Sequence, residues 1–207
     1  MNPYFLFDKK YADLGYDFIA GVDEAGRGPL AGPVTAAAVI LPALADIDGV
    51  KDSKQISFQK RKELSEKIKK TALSFSIVSI DNETIDKINI LQATILAMKK
   101  ALLSLKLKPS ICLIDGNQKI KEIQMHQESI TGGDGKSLSI AAASILAKVK
   151  RDEIMIEYAK LYPNYNFEKH KGYGVKTHIE AVKKFGVCPI HRLTFKPIAE
   201  LALKTAR

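Results

Sequence analysis

The strongest constraint on the fold lies in residues 18–41, where two short apolar runs flank a segment that can continue neither of them. Phe18-Ile-Ala-Gly-Val22 ends at two acids, Asp23 and Glu24, and Pro33-Val-Thr-Ala-Ala-Ala-Val-Ile-Leu41 is closed by Pro42. Apolar runs of this length bounded by turn residues read as buried strands. Gly26-Arg-Gly-Pro29 and Gly32-Pro33 punctuate the stretch between them, so the pair is expected to form an antiparallel hairpin with an elaborate loop.

Hydrophobic periodicity extends this reading along the chain. Ser57 to Lys70 is expected as an exposed helix capped by Ser57, and Leu73 to Ile80 alternates as a third strand. Asp81 to Ile85 opens a helical region, and Ile90 to Leu105 reads as a long amphipathic helix ended before Pro109. Ser110-Ile-Cys-Leu-Ile-Asp115 is a continuous apolar run, the pattern of a buried parallel strand. Glu128 to Thr131 is a short fifth strand, Leu138 to Leu161 a long helix, and helical patterns return at 175–185 and 197–204. Strands first and strand-helix alternation later predict an α/β fold, a mixed five-stranded sheet flanked by helices. Residues 163–207 are expected to form a small helical region packed on a core of residues 1–162.

Composition narrows the partners. Thirty-two Lys and Arg against 23 Asp and Glu give a formal charge of +9 and a pI near 9.4, which favours an anionic partner, most simply nucleic acid. The longest apolar run, Thr35 to Leu41, is far below the ~20 residues that a bilayer requires, so no membrane span or membrane partner is expected. The N-terminus lacks the pattern of a secretory signal, and Cys112 and Cys188 form no metal spacing, which suits buried thiols in a reducing cytoplasm.

Four acids stand where chemistry is plausible. Asp23 and Glu24 follow the first strand, and adjacent residues serve one site only where a strand ends or bends, which Gly26 and Gly28 permit. Asp115 is the last residue of a buried strand, the end at which such sheets present ligands, and Asp134 lies in a glycine loop before the long helix. Converging carboxylates without a His/Cys cluster suit Mg²⁺ or Mn²⁺ rather than zinc, and favour metal-assisted displacement at phosphorus. Each has an ordinary alternative: Asp115-Gly116 as a turn, Asp134 as a helix cap, Asp152 as half of a helix-surface ion pair, Tyr173 as core cover. Gly135-Lys136-Ser137 matches the end of a P-loop, but Ile130 stands where its first glycine belongs, and that reading fails.

At this point a family likeness enters. Gly21-Val-Asp-Glu-Ala-Gly-Arg-Gly-Pro-Leu-Ala-Gly-Pro33 resembles the signature of the type 2 ribonucleases H, in their bacterial ribonuclease HII branch. Asp52-Ser-Lys54, Asn89-Ile-Leu91, Leu113-Ile-Asp-Gly116, Gly133-Asp134, Ala142 to Val149, Arg151-Asp152, His170-Lys-Gly-Tyr173 and His191-Arg192 follow in the expected order. The resemblance implies a ribonuclease H-like fold and an endonuclease. It would cut the RNA strand of RNA/DNA hybrids, and also cut 5′ of single ribonucleotides in duplex DNA, leaving 3′-hydroxyl and 5′-phosphate ends.

Carried over by motif, Asp23, Glu24, Asp115 and Asp134 are the active-site acids and hold two Mn²⁺ or Mg²⁺ ions, Asp23 and Asp115 bridging them. Gly26, Arg27 and Gly28 would read the ribose 2′-hydroxyl and its phosphate, Tyr173 the RNA-to-DNA junction, and Ser53 and Lys54 the backbone phosphates. Gly132, Ala141 and Gln55 depart from residues common in the family, and Asp152 reads as a structural ion pair. The sister type, ribonuclease HIII, carries an added N-terminal domain for which the ~17 residues before the first strand leave no room. A cytoplasmic monomer is expected, and the C-terminus carries no clear motif for a replication clamp or polymerase.

Overall fold

A computed structural model describes residues 3–43, 45, 47, 49, 50 and 56–205. The elements in chain order are α1 (Pro3–Asp13), β1 (Ile19–Ala25), β2 (Val34–Ile40), α2 (Phe58–Thr71), β3 (Ser74–Ile80), α3 (Asn82–Leu103) and β4 (Ile111–Asp115). There follow β5 (His126–Ile130), α4 (Leu138–Leu161), α5 (Phe167–His170), α6 (Lys176–Phe185) and α7 (Ile198–Thr205). The sheet has the order β3-β2-β1-β4-β5. Its hairpin half is antiparallel, β1 with β2 and β2 with β3, and its other half is parallel, β1 with β4 and β4 with β5. The mixed five-stranded sheet flanked by helices is therefore present.

Strand alternation divides the core. Ala20, Val22, Ala36, Ala38 and Ile40 face α3, while Ala37 and Val39 face α4 and α2. Alanines at 36–38 let helices pack closely on both sides, and α4 is apolar around most of its circumference because the sheet, α1 and α2 surround it. The closest approach is at Gly21, where a Cβ would fall 2.0 Å from the backbone carbon of Ser139. A third core joins Leu30 and Ala31 to Met155 and to Phe167, Val182, Ile190 and Ile198 of the C-terminal segment.

Three features differ from the periodic reading. Residues 3–13 form a helix, with Phe7 and Tyr11 packed on Ile111, Leu113 and Ile140. The helical stretches at 81–85 and 90–105 belong to one element, broken at Asn89 (φ 65°, ψ 164°), whose Oδ1 accepts from the Gln92 N–H at 3.1 Å. β1 does not stop before the acids: it runs to Ala25 and stays paired with β2 there, whereas its pairing with β4 ends at Val22. Ser57 caps α2 as expected, accepting from the Lys60 N–H at 3.3 Å. Among the described residues, no helix is long and apolar enough to cross a membrane.

Candidate active site

Asp23 and Glu24 lie beyond the last β1–β4 pair, so the β4 side of β1 is open at the position where Asp115 ends the neighbouring strand. Asp23 is 5% exposed; its Oδ1 accepts from the Glu24 N–H at 2.7 Å, and the nearby Ser144 side chain of α4 favours its charged form. Burial raises its pKa well above the carboxylate range, and the charges of Glu24 and Asp115 add to the rise. Burial also raises that of Glu24, which Arg27 opposes across a 3.3 Å contact from Nη1 to Oε1 and Asp115 reinforces. Asp115 Oδ1 accepts from the Gly133 N–H at 2.6 Å, so the 3₁₀ turn Gly133–Gly135 that carries the half-buried Asp134 is hung from Asp115.

The loop after β1 is moulded from beneath. Arg192, fully buried, donates from Nε to Gly32 O at 3.0 Å, from Nη1 to Arg27 O at 2.8 Å, and from Nη2 to Gly26 O at 2.6 Å and Pro33 O at 3.2 Å. Arg151, equally buried, reaches Pro33 O at 3.0 Å, Ala31 O at 3.2 Å and Lys171 O at 3.1 Å. Gly26 sits at φ +96°, and a Cβ there would meet Arg151 Nε at 2.0 Å, so only glycine fits. In a planar trans peptide the carbonyl and the following N–H point in opposite directions. With the Gly26 and Arg27 carbonyls turned to Arg192, the N–H groups of Arg27 and Gly28 point away from it.

Tyr173, 44% exposed, stands across from this loop: a Cβ on Gly28 would lie 3.8 Å from its ring. Three of the four histidines support its backbone, His170 through its carbonyl, which accepts from the Tyr173 N–H at 2.9 Å. His178 Nδ1 lies 2.9 Å from the Tyr173 carbonyl and His178 Nε2 lies 3.1 Å from His191 Nε2, while the Cys188 N–H reaches His191 Nδ1 at 2.9 Å. One assignment of protons satisfies these three contacts: the Cys188 N–H donates to His191, His191 donates to His178, and His178 donates to Tyr173. Both rings are thus neutral, and burial pushes each pKa down to about 4.

These parts enclose a cleft of ≈400 Å³ lined by Glu24, Gly26, Arg27, Gly28 and Tyr173 together with Arg61, Ser144 and Lys148. A smaller hollow of ≈90 Å³, lined by Asp115, shares Glu24 and Arg27 with it. The structure thus brings Asp23, Glu24, Asp115, Gly26, Arg27, Gly28 and Tyr173 together and ties Asp134 to them through Gly133; Ser53 and Lys54 lie outside the described residues. Asp152 does pair with Lys148, at 2.7 Å, but its side chain is 5% exposed and is no surface residue. Ala141 is buried against β2 and α2 instead of lining the cleft. Arg61, Ser144, Lys148, Arg192 and the histidines were not assigned from sequence; the signal for Ser144, Lys148 and Asp152 was their spacing of four along one helix.

The donors are hard oxygens and repel one another, which fits Mg²⁺ or Mn²⁺. Among the described residues, no group of three His, Cys, Asp or Glu side chains is already set to hold a metal ion. Ions of this kind commonly take one or two carboxylates and complete their shell with water and substrate phosphate.

A family model described as ribonuclease HII matches residues 20–198. The ribonuclease HII of Endomicrobium trichonymphae is 59% identical over 201 residues, 97% of this chain and 96% of that one. Among solved structures, ribonuclease H2 from Pyrococcus horikoshii OT3 superposes with a TM-score of 0.78 at 26% identity, covering 92% of this chain and 99% of the other. The ribonuclease HII of Archaeoglobus fulgidus, solved in complex with PCNA, gives 0.74 at 27% identity over 88% and 96%.

Proposed function

The chain belongs to the ribonuclease HII family and is a ribonuclease H acting endonucleolytically on RNA/DNA hybrids, and we propose that it also cuts 5′ of single ribonucleotides in duplex DNA. Asp23, Glu24, Asp115 and Asp134 are the candidate ligands of two divalent ions. Bound there, Mg²⁺ or Mn²⁺ would lower the pKa of the attacking water and stabilise the departing 3′ oxygen. The products would carry 3′-hydroxyl and 5′-phosphate ends.

The observation that carries the reading is the outward turn of the Arg27 and Gly28 N–H groups beside the acids. Two backbone donors without an intervening side chain can approach a ribose 2′-hydroxyl and its phosphate, and the 2′-hydroxyl is what separates RNA from DNA. Arg27 would steady the phosphate, and Tyr173 opposite would pack on the following deoxyribose. Working on nucleic acid, the protein would act in the cytoplasm, as a monomer, and could contribute to ribonucleotide excision repair.

The test uses a DNA duplex with one embedded ribonucleotide and a long RNA/DNA hybrid, each with and without Mn²⁺. Metal-dependent cleavage 5′ of the ribonucleotide is expected, and an intact duplex with Mn²⁺ present would refute the proposal. Asp115→Asn, which removes ligand charge without volume, should keep hybrid binding and lose more than the ~10–100-fold that changes in a metal's outer shell cost. Near-normal cleavage by this variant at saturating Mg²⁺ would remove Asp115 from the ligand set.

A further inference from the structure

Ser144, Lys148 and Asp152 recur every four residues and share one face of α4. Ser144 lines the cleft near Asp23, and Lys148 stands one turn further, ~6 Å along the axis, on the same wall. Its Nζ meets the buried Oδ1 of Asp152 at 2.7 Å, while a third of its side chain stays open to the cleft. A lysine has a long flexible stem, and a buried carboxylate at its tip fixes where the ammonium sits. That ammonium carries three donors, so two remain when Asp152 takes one.

Resting on the function proposed above, we infer that Lys148 is a phosphate contact for the nucleic-acid backbone beside the cut, and that Asp152 is its positioning residue. The acids on the cleft floor repel a phosphodiester, and a fixed cation on the wall offsets that repulsion where the strand must lie. The contact reads charge, so it acts alike on hybrids of any sequence.

Hybrid binding in EDTA, titrated from 50 to 200 mM salt, isolates the contact from cleavage. Lys148→Gln keeps the stem and a donor to Asp152; it should lower the slope of log K against log salt by about 0.9 and raise KM about tenfold, with kcat within about twofold. Lys148→Arg should restore the slope. Asp152→Asn should raise KM in the same direction, and the double variant Lys148→Gln/Asp152→Asn should be no worse than Lys148→Gln alone. An unchanged slope and KM in Lys148→Gln, with only a lower melting temperature, would overturn the inference, because Lys148 would then merely neutralise Asp152. Additive losses in the double variant would overturn the positioning role. Wild-type protein that fails to cut the hybrid would overturn the underlying reading itself, whereas a wild type that cuts beside an unaltered Lys148→Gln overturns this inference alone.

Discussion

Arg151 and Arg192 are completely buried, yet their hydrogen bonds go to main-chain carbonyls. Burial depresses both, to about 10 and about 9, and Arg151 pushes Arg192 further down, so each remains charged at neutral pH. A guanidinium fork can hold the Gly26, Arg27, Gly32 and Pro33 carbonyls at once; a lysine, with one nitrogen, cannot span them. No local pattern announces this, because every partner but Lys171 is 118 to 166 residues away. Motif resemblance marked both arginines but supplied no role, and the role follows only from the fold. On the opposite rim, Tyr173 has its carbonyl fixed by His178 and its ring left to the cleft. Tyr173→Ala should therefore lose activity on a lone ribonucleotide more than on a long hybrid, measured as kcat/KM on the two substrates. Equal losses would show that the ring does not read the junction.

At the scale of elements, the site depends on how closely α4 lies on β1. Gly21 is two residues before Asp23, and a methyl group there would collide with the Ser139–Ile140 backbone at 2.0–2.3 Å. Gly21→Ala should cost at least about 1–3 kcal/mol in urea unfolding and, by moving α4 off β1 beside Asp23, reduce kcat; a variant as stable and active as the parent would show that α4 yields freely. The hairpin, the buried parallel strand and α4 were legible because each is specified by its own run of residues. α1 was not: an isolated 11-residue helix is marginal in water, and this one is held by Phe7 and Tyr11 against strands β1 and β4 and by Asp8 accepting from the Ser139 N–H at 2.8 Å. The β1 acids were legible as a pair, but their shared access came from a difference between the two neighbouring strands. Pairing stops on one side and continues on the other.

For the whole molecule, the histidine chain links stability to pH. His178 and His191 titrate near 4 when folded and near 6.5 when unfolded, so between those values the unfolded chain takes up protons that the native state refuses. Their contribution is complete above about pH 6.5 and is lost as pH falls toward 4, at up to about 2.7 kcal/mol per pH unit for two protons. Asp8, Asp23 and Glu24, raised by burial, pull the other way, so the comparison is with His178→Asn, whose amide can still donate to Tyr173. Urea midpoints between pH 7 and 5 should fall less steeply for that variant; parallel curves would assign the pH dependence elsewhere. The clamp on the Gly26–Pro33 loop also sets an order of assembly. On a chain emerging from the ribosome, the four candidate acids are all present once Asp134 has been made; Arg151 follows to hold Ala31 and Pro33, but the Gly26 and Arg27 carbonyls have no donor of this kind until Arg192. Arg192 is made 58 residues after Asp134, so a nascent chain carries the four candidate acids before the Gly26 and Arg27 carbonyls beside them can be held by it.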